Sequence, residues 1–84
     1  MPAWGLKWER GAVAMLRELP WREGARVDAA LLRLAETGRA SDGRVEVVKG
    51  DPIGFRLHVP PHVVRFEADP RERVFRILAV FTRG

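Results

Sequence analysis

The residues best suited to chemistry lie in the second half of this 84-residue sequence. Arg56 and His58 alternate with Phe55, Leu57 and Val59, the period-two pattern of a strand with one apolar face. Val64, Phe66 and Ala68 mark the apolar side of a following strand whose other side carries Arg65 and Glu67. Pro60 and Pro61 separate the two, and two prolines do not fit a primed two-residue turn, which needs positive φ. A four-residue loop from Val59 to His62 is expected instead. It pairs His58 with Val63, Leu57 with Val64, Arg56 with Arg65 and Phe55 with Phe66. This register gathers Phe55, Leu57, Val64 and Phe66 on the core face. It leaves Arg56, His58, Arg65 and, diagonally, Glu67 on the free face. Two arginines directly opposed repel unless an anion lies between them. One reading is therefore a phosphate-binding surface with a proton-transfer group beside it, since histidine titrates near neutrality. The other is a solvated strand face on which Glu67 makes an ion pair worth little.

Other chemistries find less support. Ser41 is the only serine and has no histidine near it in sequence, which disfavours a serine nucleophile. His58 and His62 are the only histidines; their spacing suits zinc on a helix, and Pro60-Pro61 lies between them. No metal site is expected. No glycine-rich phosphate loop precedes a helix. Trp4, Trp8 and Trp21 are expected in the core.

These candidates need a scaffold. Trp4, Leu6 and Trp8 alternate as a short strand. Ala12, Val13, Leu16 and Leu19 recur at helical spacing up to Pro20, which ends one helix and suits the start of the next. Val27, Ala30, Leu31, Leu34 and Ala35 line one face of that second helix, and Gly38 suits its end. Gly43 opens a strand from Arg44 to Lys49, closed by Gly50-Asp51-Pro52. After the proline hairpin, Asp69-Pro70-Arg71-Glu72 reads as a type I turn. Val74 to Thr82 is apolar on both faces and is expected to be central. The order β-α-α-β-β-β-β argues for an α+β fold, a two-helix hairpin on one face of a mainly antiparallel sheet.

Composition bounds the rest. The length implies a single domain over residues 1–84. Cysteine is absent, which excludes disulfides, Cys-ligated metals and thiol catalysis. No apolar run reaches the roughly 18 residues of a membrane span, and the N-terminal residues lack a signal-peptide layout, so a soluble cytoplasmic protein is expected. The net charge is +4, and thirteen of the fifteen cations are arginine. Arginine suits bidentate phosphate contacts; a GC-rich genome would give the same bias. Six prolines, with no Asn, Gln or Cys, fit a thermophile's protein.

The second half carries Val48-Lys49-Gly50, Gly54-Phe55-Arg56-Leu57-His58-Val59, Val63-Val64-Arg65-Phe66-Glu67-Ala68-Asp69 and Arg73-Val74-Phe75-Arg76-Ile77-Leu78-Ala79-Val80-Phe81-Thr82-Arg83. With the helical hairpin, this resembles the RelE/ParE superfamily of bacterial toxins over nearly the whole sequence. The resemblance implies a toxin of a toxin–antitoxin pair, and in RelE-type members a metal-independent nuclease that cuts messenger RNA on the ribosome. Carried over by position, Arg56 and His58 match the two basic positions of the family's middle strand, and Arg83 matches the basic residue after its last strand. His58 would transfer the proton; Arg56 and Arg83 would stabilise phosphate charge. Arg65, His62 and Lys49 would contact RNA. A cognate antitoxin is the implied protein partner, with Val63 and the exposed half of the last strand as contacts, and no small-molecule cofactor is implied.

Two departures weigh against the nuclease. The family's Tyr-Arg pair falls near His62-Val63, so Arg65 must substitute for its arginine. The sequence ends at Gly84, before the segment where many nuclease members place a catalytic tyrosine or histidine, leaving His62 as the candidate acid. The rivals are a ParE-like gyrase inhibitor and a non-catalytic RNA- or protein-binding relative.

Overall fold

The computed structural model describes residues 4–38 and 44–83. Ser41, Gly43 and the two ends of the chain, and the expectations attached to them, lie outside the described residues. The elements run β1 (Gly5–Trp8), α1 (Arg10–Arg17), α2 (Trp21–Thr37), β2 (Arg44–Val47), β3 (Gly54–Val59), β4 (His62–Asp69) and β5 (Val74–Thr82). This is the expected order. The strands form one sheet in the order β1-β5-β4-β3-β2, antiparallel except for the parallel pair β1 and β5. β5 is thus paired on both sides, as its two apolar faces require.

Helix α2 turns its apolar stripe to the sheet. Val27, Ala30, Leu31 and Leu34 join Ala12 of α1 and Leu57, Val59, Val64, Phe66, Ile77 and Val80 in one buried cluster. Phe66 anchors the aromatic part of it, stacked on Phe55 with ring centroids 5.5 Å apart and edge-on to Phe75 at 5.4 Å. Gly38 ends α2 with φ of 73° and donates its N–H to the Leu34 carbonyl, a conformation a side chain would oppose.

Three expectations are corrected. Trp21 is 77% exposed, because it opens α2 off the Val27–Leu34 stripe, and the Arg22 guanidinium lies over its ring. The strand ending at Lys49 stops at Val47, and Lys49 is an exposed residue of the following turn. The loop between β3 and β4 is the two residues Pro60 and Pro61, and the pairing continues to Val59 and His62. Their peptide bond is cis; a turn of that type needs no positive φ. The pairs from Phe55–Phe66 to His58–Val63 stand as expected.

Candidate RNA-binding face of the sheet

The face turned away from the helices is organised in rows that cross the strands. Arg44, His58, Val63 and Phe81 are successive cross-strand partners in one row; Glu46, Arg56, Arg65 and Ala79 form the next. Gly54, Glu67 and Arg76 form a third. Between Arg65 and Phe66 the β4–β5 register shifts by one residue. This bulge keeps Ala79 and Phe81 on the free face although Arg76 and Ile77 obey the other phase. Arg83 follows the end of β5 and is exposed, and its backbone N–H donates to the Pro61 carbonyl at 2.8 Å. The end of β5 is thereby tied to the hairpin that carries Arg56 and His58.

Arg56 and Arg65 are directly opposed, and the acids that relieve them are not the expected one. Glu67 lies 3.5 Å from Arg76 instead of pairing with Arg65. The Asp51 carboxylate approaches Arg65 at 3.5 Å. It fits there because residue 54 is glycine: a Cβ on Gly54 would lie 2.3 Å from Asp51 Oδ2. Arg65 Nε is buried and has no hydrogen-bond partner among the described residues. On the other side, Glu46 is the cross-strand partner of Arg56, and its carboxylate reaches diagonally to accept from His58 Nε2. That bond foremost, with the charges of His58, Arg44 and Arg56, holds Glu46 below the ordinary carboxylate range. The His58 side chain is only 12% exposed.

The structure therefore brings together Arg56, His58 and Arg65, with Arg83 at the rim. Lys49 lies apart in its turn, and His62 belongs to the other face. As the first residue of β4, His62 shares the side of Val64 and Phe66 and is 2% exposed. Its Nε2 bonds Glu23 of α2 at 2.6 Å and its Nδ1 bonds Thr82 at 2.8 Å. Arg26, one helical turn beyond Glu23, donates Nη2 to the carbonyls of Val59 and Pro60. The first turns of α2 thus clamp the proline hairpin from behind. Val63 is also buried, at 2% exposure, and offers no partner contact, while Phe81 is 42% exposed. Glu46 escaped the sequence reading. Its signal was the phase of Arg44 and Glu46, which matches that of Arg56 and His58 once β2 pairs with β3.

Chemically, the face can bind phosphate through arginines and move a proton through a histidine held by a carboxylate. Among the described residues no group of three or more His, Asp or Glu is placed to hold a metal ion, and no helix is long and apolar enough to cross a membrane.

Solved structures share this architecture. A chain of the archaeal RelE–RelB complex from Pyrococcus horikoshii superposes with a TM-score of 0.83 at 19% identity, covering 98% of this chain and 97% of that one. The toxin–antitoxin complex RelBE2 of Mycobacterium tuberculosis gives 0.78 at 18% identity, covering 96% and 99%. The isolated E. coli RelE toxin gives 0.80 at 14% identity, covering 98% and 86%. No protein-family profile and no curated protein sequence matches the chain. The fold is that of the RelE toxins.

Proposed function

We propose that the chain is the toxin of a toxin–antitoxin pair and acts as a ribosome-dependent messenger-RNA endoribonuclease in the cytoplasm. The observation that carries this reading is the clustering of Arg56, His58 and Arg65 on the free face of a RelE-type sheet. Such a face meets the needs of ribonucleolysis by 2′-oxygen attack. His58 accepts the 2′-hydroxyl proton. Arg56, Arg65 and Arg83 neutralise the charge that builds on the phosphorus oxygens. The ribosome supplies the alignment of the 2′-oxygen with the scissile bond. Side chains carry each of these tasks, so the reaction needs no metal ion. Lys49 adds a long-range phosphate contact from its turn.

An antitoxin is the proposed protein partner, by analogy with the RelE–RelB complexes. It would cover apolar groups that the fold leaves exposed, Phe81 on the free face and Val47 on the edge strand.

The test is a translating extract with cuts mapped by primer extension. Discrete cuts that require ribosomes and vanish with His58→Ala are expected. Intact messages together with inhibited DNA gyrase supercoiling would replace this reading with the ParE-like one.

A further inference from the structure

We propose that Glu46 is a positioning residue that selects the catalytic nitrogen of His58; the proposal rests on the nuclease reading above. Glu46 belongs to the edge strand β2, and its carboxylate accepts a hydrogen bond from His58 Nε2. A carboxylate can only accept in that bond, so the neutral ring carries its proton on Nε2. Nδ1 is then the unprotonated nitrogen and the proton acceptor. The orientation is set in the same way as in other histidine–carboxylate pairs, where the second partner fixes tautomer and ring plane.

Three observations bear on the assignment. Glu46 is ionised under ordinary conditions, since His58 and the flanking arginines hold its carboxyl low. The bond links neighbouring strands diagonally, because Arg44 is the direct partner of His58 and Arg56 that of Glu46. The His58 side chain is largely buried while that of Glu46 is 47% exposed, so the ring is held and the carboxylate is wetted. The charged cross-strand partners of the pair are Arg44, opposite His58, and Arg56, opposite Glu46, both cationic. Without Glu46 they would oppose the imidazolium that forms when His58 takes a proton.

The 2′-hydroxyl proton passes to Nδ1 as the 2′-oxygen bonds to phosphorus. The P–O5′ bond breaks with its electron pair on O5′, which takes a proton from solvent. The products are a 2′,3′-cyclic phosphate and a 5′-hydroxyl end, and Nδ1 returns its proton to solvent. Glu46 neither gains nor loses a proton; its charge stabilises the transient imidazolium.

The experiment compares wild type, Glu46→Ala and Glu46→Gln in single-turnover cleavage of ribosome-bound message. Binding of a fluorescent RNA oligonucleotide and the nitrogen-15 spectrum of His58 are measured alongside. Glu46→Ala is expected to slow cleavage about 10- to 100-fold, the usual size for an orienting partner, without weakening RNA binding. Its His58 spectrum should pass from a single Nε2–H tautomer to a mixture of the two neutral forms. Glu46→Gln, whose amide oxygen can still accept from Nε2–H but carries no charge, should keep the tautomer and recover only part of the rate. Wild-type cutting with an equally fast Glu46→Ala, or an Nδ1–H tautomer in wild type, overturns this proposal and leaves the nuclease reading standing. A wild-type protein that cuts no message overturns both.

Discussion

His62 and His58 sit four residues apart on one hairpin, and their surroundings assign them different work. His62 is sealed beneath α2 with both ring nitrogens bonded, to Glu23 and to Thr82, as a buried polar group requires. His62→Ala strands those partners and should lower stability by about 2 kcal/mol, measured by urea titration. Cleavage per folded molecule should be unchanged. A loss of cleavage at full stability would return His62 to the active face. The sequence reading placed His62 in a four-residue loop, which hid its parity with Val64 and Phe66. Begun one residue earlier, the strand puts it on the core side by alternation alone. Arg56 and Arg65 were legible as a pair because Phe55, Leu57, Val64 and Phe66 can share the core in only one register. The acids that relieve the pair were not legible. Asp51 reaches Arg65 only because Gly54 lacks a Cβ, and Glu67 meets Arg76 through a register that a bulge resets.

At the scale of elements, α2 is the brace of the candidate site. Its stripe packs on the sheet, its first turns hold the proline hairpin through Glu23 and Arg26, and Gly38 ends it in a left-handed conformation. Gly38→Ala meets open space, so backbone strain alone should cost about 1 kcal/mol, read from denaturant midpoints. The β4–β5 turn is held by Asp69, whose Oδ1 accepts from the backbone N–H groups of Arg71 and Glu72. The Glu72 amide first, then that of Arg71 and the charge of Arg76, keeps its carboxyl below the ordinary 3.8. A folded-state value below the unfolded one adds stability above the unfolded value and loses it as pH falls through the folded one. Asp69→Ala should therefore lower the melting temperature at pH 7, and the gap to wild type should narrow below about pH 4. A constant gap across that window would contradict the assignment. The turn itself was legible from Asp69-Pro70. The partnership of Glu46 with His58 was not, since the turn between β2 and β3 gives no residue count that sets their register.

The whole molecule carries a charge of +4, and arginines from three strands converge on the face opposite the helices. Binding of single-stranded RNA should weaken linearly with the logarithm of salt, by about 0.7 per phosphate neutralised. Arg56→Ala and Arg65→Ala should each reduce that slope by about the share of one phosphate, measured by fluorescence titration. Alanine at Arg22, beside exposed Trp21 on the helix side, should leave the slope unchanged. The fold of the RelE toxins was legible in the strand motifs and element order. The arrangement of the candidate face depends on placements between strands, which composition and alternation do not encode. The most direct test of the central claim uses two messages in a translating extract, one carrying a 2′-O-methyl group on the nucleotide 5′ of a mapped cut. Cleavage by 2′-oxygen attack predicts a discrete cut in the unmodified message, ending in a cyclic phosphate, and none at the modified position. Undiminished cutting at the methylated nucleotide, or no cut in either message, would contradict it.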